Sequence, residues 1–320
     1  MNSESQRRTI GLIIPCYNEE EVLGDLVARL QEFAAGSAHR INVLFVNDGS
    51  SDRTRELLQQ HCTEQSNMAC IHFSRNFGHQ AAVSAGLAHV QGDAAVVLDA
   101  DLQDPPEVIP EMIAKWIEGY DVVYGIRQKR KENWFLKLCY FLFYRVMNSV
   151  ATFNMAVDAG DFALMDRRII DQMNAMPEKC RFVRGLRSWV GFRQVGVPYE
   201  REARQAGDSK YSYVRLFKLA MDGIIAYSVI PLRIAVWLGI LSSLVGMLYF
   251  VYVLFTKLVL NANPPGWSSL ASIILLMGGM QLVVMGIIGE YIGRVFDEVK
   301  GRPTYIIDEI TGSAQSGEGP

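Results

Sequence analysis

Between residues 9 and 125 the chain alternates two hydrophobic periods. Short apolar runs rich in Val and Ile (TIGLIIP, INVLFVND, CIHFS, AAVVLDA, DVVYG) read as strands. Between them, EEEVLGDLVARLQEF, SDRTRELLQQ, HQAAVSAGLAHV and PEVIPEMIAKWIEG carry helical patterns. Such alternation predicts βαβ units, hence an α/β fold with a Rossmann-like, mostly parallel sheet and helices on both faces. Ser50-Ser51-Asp52 offers N-cap chemistry and Pro105-Pro106 suits a helix start. No internal repeat interrupts the pattern.

Past the sheet the pattern changes. No charged residue occurs from Ile234 to Phe255, or from Leu258 to Gly289. Each run exceeds the roughly 20 residues a helix needs to cross a bilayer, so two spans are expected rather than a pair of buried core helices. Arg215, Lys218 and Arg233 precede the first run, and Arg294, Lys300 and Arg302 follow the second. Only Lys257 lies between them. Both ends are therefore expected on the cytoplasmic side, joined outside by a short loop near Asn261–Gly266. Residues 133–148, with WFLKLCYFLFYRVM in the middle, are aromatic-rich, too short to span and charged only at Lys137 and Arg145. They read as a helix in the membrane interface, with a buried core helix as the alternative. Tyr211–Tyr227 is a second such candidate. The stretch after Ile310, TGSAQSGEGP, reads as disordered.

Composition narrows the picture in three ways. A formal net charge of -3 over 320 residues gives no reason to expect nucleic-acid binding. Five scattered cysteines without a C-x-x-C suit a reducing compartment and not a zinc site. The opening MNSESQRRTI holds no apolar h-region, so no cleaved leader is expected.

The candidate chemistry sits at the carboxyl ends of the expected strands, where α/β sheets bind ligands. Asn18 and Glu19 follow the first strand, Asn47 and Asp48 the second, Arg75 and Asn76 the third, and Arg127 the fifth. The fourth ends in LDADLQDPPE, with Asp99 and Asp101 spaced D-x-D. Hard oxygen donors of this kind suit Mg²⁺ or Mn²⁺ bridged to substrate phosphates. An EF-hand is excluded, because its sixth and twelfth positions would be Asp104 and Pro110 instead of Gly and Glu. An aspartyl-nucleophile phosphatase normally continues D-x-D with Gly-Thr, where this chain has Leu102-Gln103. Capping the helix at Pro105 accounts for Asp104 but not for the other two.

Seven segments in order resemble one family. They are IPCYNEEE (14–21), VNDGSSDRT (46–54), SRNFGHQAA (74–82), LDADLQDPPE (98–107), GDFALMDR (160–167), RQAGDSKYS (204–212) and GEYIGRVFDEVKGRPTY (289–305). The chain resembles the GT-A-fold family 2 glycosyltransferases that load sugars onto polyprenyl phosphate, a branch that includes dolichyl-phosphate mannose synthase. The two-span arrangement is most similar to the bactoprenol glucosyltransferase subgroup. The resemblance implies that Pro15, Tyr17 and Glu19 line a nucleotide pocket and that Asp48 holds base or ribose. It implies a Mg²⁺ or Mn²⁺ site at Asp99, Asp101 and Gln103. Arg204 and Lys210 would close over the donor phosphates, with Gly207 permitting the motion. Arg127, with Lys137, would meet the acceptor phosphate, and Asp161 would stand beside the sugar.

The implied organisation is a nucleotide-sugar core (1–127), an interfacial helix (128–150), an acceptor part (151–210), a juxtamembrane helix (211–230), two spans (231–293) and a cytoplasmic tail (294–320). The implied partners are a nucleotide sugar, a polyprenyl phosphate and the bilayer of a bacterial inner membrane, with a homotetramer as the assembly. A processive polysaccharide synthase fits less well. Its Q-x-x-R-W motif is approached only by Arg187-Ser188-Trp189, and two spans make a poor channel. A non-catalytic scaffold would not need the metal ligands, the closing loop and Asp161 together.

Overall fold

A computed structural model of the chain describes residues 7–128, 159–179, 181–200, 230–259 and 266–312. They form two compact units, one of residues 7–128, 159–179, 181–200 and 303–312 and one of residues 230–259 and 266–302. The interfacial helix expected at 133–148, the juxtamembrane segment, and Lys137, Arg204 and Lys210 lie outside the described residues.

The first unit is built on one eight-stranded sheet. In chain order it contains β1 (Thr9–Cys16), α1 (Leu23–Gly36), β2 (Arg40–Asn47), α2 (Thr54–Glu64), β3 (Met68–Phe73), α3 (His79–His89), β4 (Ala94–Val97), α4 (Ile109–Ile117) and β5 (Val122–Gln128). Then follow β6 (Ala159–Asp166), α5 (Arg167–Asn174), α6 (Val183–Trp189), β7 (Gln194–Glu200) and, from the end of the chain, β8 (Ile307–Gly312). The spatial order is β7-β5-β6-β4-β1-β2-β3-β8. The pairs β1–β2, β1–β4, β2–β3 and β5–β7 run parallel; β4–β6, β5–β6 and β3–β8 run antiparallel. The five strands expected from periodicity are all present. The antiparallel pairings come from β6 and β8, which the apolar runs did not reveal.

The strand period of two sorts the core into two layers. Ile10, Leu12, Ile14 and Phe45 face α1 and α4, together with Leu26, Leu30, Met112 and Trp116. Ile13, Leu44 and Val46 face the opposite way, with Val83 and Leu87 of α3 and Ile169 of α5. Gly86 lets α3 come close: a Cβ there would lie 2.1 Å from Ile13 Cγ2.

β8 corrects the expectation of disorder directly after Ile310. Thr311 and Gly312 still pair with Cys70 and Ala69. Polar fastenings hold the strand. Arg55 of α2 reaches Asp308 (2.7 Å) and Glu309 (3.0 Å), and Gln59 reaches Glu309 (2.9 Å). The Tyr305 ring stacks on Phe73 with centroids 5.1 Å apart. The edge of β3, which would otherwise present unpaired backbone groups, is thereby covered.

Beneath β8, His72 is fully buried, and burial, with the charge of Arg55, holds its pKa down to about 4 from an ordinary 6.5, against the pull of Glu309 and Asp308. As pH falls, the unfolded chain takes up this proton first. Stability present above pH 6.5 is therefore lost between 6.5 and about 4. The apparent melting temperature is expected to drop across that window, and a His72→Gln variant to show a shallower drop.

The second unit is a helical pair, α7 (Ile230–Val259) and α8 (Trp267–Val299). Leu232–Val259 and Ser272–Val299 are 28 residues long each, and their 18-residue apolar stretches have mean hydropathies of 2.2 and 2.1. At 1.5 Å per residue such a length is roughly 42 Å, more than a bilayer's hydrocarbon core. Large apolar side chains, among them Trp237, Leu244, Phe250, Leu275 and Leu282, are exposed along both helices. A soluble core pair would bury them. Both helices are long and apolar enough to cross a membrane.

Candidate active site

The loops after β1 and β2 are tied together by short polar side chains. Asn18, in the left-handed region at φ 55°, accepts Ser51 N–H through Oδ1 (2.8 Å) and donates its own N–H to Ser50 Oγ (3.0 Å). Glu19 N–H reaches Thr54 Oγ1 (2.8 Å), and Asp52 accepts the amides of Glu20 (3.2 Å) and Thr54 (3.1 Å); the cap position of α2 itself falls on Arg53, without a side-chain bond, and not on the expected 50–52. Pro15 lies buried near the end of β1 opposite Val46, and Tyr17 follows the strand half-exposed.

Asp48 is buried. Its carboxylate accepts Phe77 N–H (2.7 Å) and Gly78 N–H (2.9 Å), which lashes the end of β2 to the turn before α3. Burial raises its pKa, and these two bonds oppose the rise. Next to it Gly49 has φ 62°, and a Cβ there would meet the backbone of Arg75 at 2.3 Å and Asn76 at 2.6 Å. Only glycine fits.

The acidic turn follows β4. Asp99 is hydrogen-bonded at Oδ1 to His79 Nε2 (3.2 Å) at the start of α3. That bond raises the His79 pKa against burial, and the charges of Asp99, Asp161 and Asp48 add to it. Asp101 Oδ1 accepts Gln103 N–H (3.2 Å) around Leu102, whose φ is 57°. The partly exposed Asp99, Asp101 and Gln103 thus share one tight turn. Among the described residues no three His, Cys, Asp or Glu side chains close around a common point. What the turn offers is an open set of hard oxygen donors. That fits Mg²⁺ or Mn²⁺, which bind through one or two carboxylates and take further ligands from substrate phosphates.

Asp104 does not cap the following helix. Pro105 stands at the cap without a side-chain bond, and Asp104 turns inward with 1% of its surface exposed. Tyr199 of β7 donates its hydroxyl to Asp104. Arg127 donates Nε to the same Tyr199 oxygen (3.3 Å) and brings Nη2 to 4.0 Å from Asp104 Oδ2. Burial and the Asp104 charge raise the Tyr199 pKa, so the phenol stays protonated and donates. A buried carboxylate draws both groups inward because an uncompensated charge there is costly.

Asp161, early in β6, meets α6. Arg184 grips it with Nη2 to Oδ2 (3.2 Å) and Nε to Oδ1 (3.4 Å). Arg187, one turn on and buried, donates Nη2 to Gly160 O (3.3 Å) and lies 5.6 Å from the Tyr124 ring. Burial lowers the Arg187 pKa to about 10, so it remains a cation at neutral pH. Arg127 flanks the same backbone: a Cβ on Gly160 would sit 3.1 Å from Arg127 Nη2. Three guanidiniums thus surround Gly160–Asp161.

The structure therefore gathers Asp48, Asp99, Arg127 and Asp161 around His79 and Arg184, with Tyr17, Glu19, Asp101 and Gln103 on the adjoining loops. His79, Arg184, Arg187 and Tyr199 were not singled out as site residues. His79 lies inside SRNFGHQAA, Arg187 enters the sequence only as part of the mismatched Arg187-Ser188-Trp189, and Arg184 carries no local signal. Nothing in the sequence marked Tyr199.

Comparison with known proteins identifies the family. Residues 12–173 match the family model for glycosyl transferase family 2, and residues 230–295 match the GtrB C-terminal hairpin. The uncharacterized glycosyltransferase YkcC of Bacillus subtilis is 49% identical over 94% of this chain and 94% of its own. The bactoprenol glucosyl transferase of Shigella phage SfII is 38% identical, covering 93% of this chain and 97% of that one. The prophage bactoprenol glucosyl transferase homolog of Escherichia coli K12 is 36% identical over 94% and 99%. With a doubly wound sheet, an acidic turn after β4 and an apolar helical pair matching that hairpin, the chain belongs to the family 2 glycosyltransferases and is a glycosyltransferase carrying the GtrB-type C-terminal hairpin.

Proposed function

We propose that the protein transfers a sugar, glucose from UDP-glucose, to the phosphate of a polyprenyl phosphate such as undecaprenyl phosphate, with inversion, at the cytoplasmic face of a bacterial membrane. The observation that carries this reading is a juxtaposition. The acidic β4 turn and the arginine cluster of Arg127, Arg184 and Arg187 meet at one end of a sheet. The same chain carries two helices suited to lipid. Relatives of nearly full length are named bactoprenol glucosyl transferases, which supports the lipid acceptor and the glucose.

In this reading Tyr17, Glu19 and Asp48 hold the nucleotide. Asp99, Asp101 and Gln103 would hold Mg²⁺ or Mn²⁺, which when bound neutralises charge on the departing diphosphate. Arg204 and Lys210 cover the donor phosphates. The acceptor phosphate, held by Arg127 with Lys137, directs one oxygen at the anomeric carbon. The new C–O bond forms as the bond to the nucleoside diphosphate breaks, and the electron pair leaves on the diphosphate. A phosphate monoester with a second pKa of ~6 is already anionic at neutral pH, so no proton need be removed. Asp161, neutralised by Arg184, then acts by orientation. Asp161→Asn is expected to lower kcat roughly 10–100-fold while leaving the acid limb of the pH–rate profile in place. Loss of that limb would make Asp161 the base.

The test presents purified protein with undecaprenyl phosphate and a panel of nucleotide sugars, with and without Mn²⁺, and identifies the lipid product by mass. A glucosylated lipid only with UDP-glucose and metal is the expected result. Transfer from another donor changes the sugar; no lipid-linked sugar with any donor overturns the reading.

A further inference from the structure

A hydrogen-bond chain, buried at Asn47 and His72, runs from β8 to the loops assigned to the nucleotide. Asn18 N–H donates to Ser50 Oγ (3.0 Å), and Ser50 Oγ–H donates to Asn47 Oδ1 (2.6 Å), which also accepts Ser50 N–H (3.1 Å). These bonds fix the orientation of the Asn47 amide, so its Nδ2 donates to His72 Nδ1 (3.1 Å). With Nδ1 accepting, the neutral imidazole carries its proton on Nε2, 3.3 Å from Thr311 Oγ1. Every link has one direction.

We propose that β8 presets the donor-nucleotide loops through this chain, which makes Thr311 and His72 positioning residues for the nucleotide. This rests on the reading of Tyr17, Glu19 and Asp48 as the nucleotide pocket. Strand docking alone does not call for the link. Arg55, Gln59 and the Tyr305–Phe73 stack already fasten β8. An apolar pair at 72 and 311 would fill the same space without burying an imidazole and an amide, groups that cost free energy unless fully hydrogen-bonded. A satisfied buried network instead selects one geometry. The geometry selected here is that of Asn47 and Ser50, directly beside Asp48 and Gly49, and of Asn18, between Tyr17 and Glu19.

The test uses the full-length protein in detergent, its Thr311→Val and Thr311→Ser variants, hydrogen-exchange mass spectrometry, and binding of UDP and of GDP with Mn²⁺. Thr311→Val keeps the shape and removes the hydroxyl. It is expected to speed exchange in peptides covering Asn18 and Asn47–Thr54 and to weaken nucleotide binding by roughly 3–10-fold. Thr311→Ser is expected to restore both. Wild-type exchange and affinity in Thr311→Val would overturn the proposal, as would faster exchange with unchanged affinity. Wild-type protein that binds neither nucleotide overturns the functional reading itself, an outcome recognised without any variant.

Discussion

Asp101→Asn is expected to lower sugar transfer by roughly 10³-fold or more, the scale on which removing a key electrostatic group acts in such sites. The substitution keeps size and an oxygen able to accept the Gln103 amide, so the turn at Leu102 retains its bond. What disappears is one of the two negative charges that define the open oxygen site. The melting temperature should therefore stay near that of the wild type while the gain in nucleotide affinity caused by Mn²⁺ vanishes. Measuring both separates a lost metal site from a damaged fold. Full activity in this variant would remove the metal from the mechanism.

Gly49→Ala is expected to be the most damaging single methyl group in the catalytic unit. Two costs add. Left-handed backbone costs a non-glycine residue about 1–2 kcal/mol. The new Cβ also presses on the backbone of Arg75 and Asn76, and no side-chain rotation relieves a backbone contact. A loss of about 4 kcal/mol is expected, in the range that accompanies strain at special backbone positions. Because Asp48 ties the same two segments through Phe77 and Gly78, the affinity for nucleotide should fall as well. Thermal melting with and without UDP measures the two effects. A melting temperature equal to that of the wild type would mean that the loop after β3 shifts without cost.

The sequence made the sheet legible wherever burial forces a repeating pattern. β1 to β5 are apolar runs between amphipathic helices, and each was expected within a few residues. β6, β7 and β8 were not, for differing reasons. β6 carries Gly160-Asp161 near its start, at the site, β7 contains Gly196 and Pro198, and β8 mixes Asp308 and Glu309 among its isoleucines. The helical pair was legible because uncharged, mostly apolar runs of 22 and 32 residues have few other uses.

Of the site, the carboxylates could be read because D-x-D at a strand end is a local pattern. Their partners could not. Asp104 meets Tyr199, 95 residues on, and Asp161 meets Arg184 across a strand and a helix. Such pairs are created by tertiary folding, and no spacing announces them. For Asp104 the helix start beside it offered a cap as one reading, while the buried phenol that holds it lies far away in sequence.

Since β8 follows both long hydrophobic helices in the chain, the ribosome must finish them before the strand that seals β3 even exists. At about 5–20 residues per second, the interval between β7 and β8 is on the order of ten seconds. During that time a nascent sheet waits one strand short, with Arg55 still lacking its two acidic partners and His72 its hydroxyl. Maturation of the enzyme is thereby timed to follow synthesis of the hairpin.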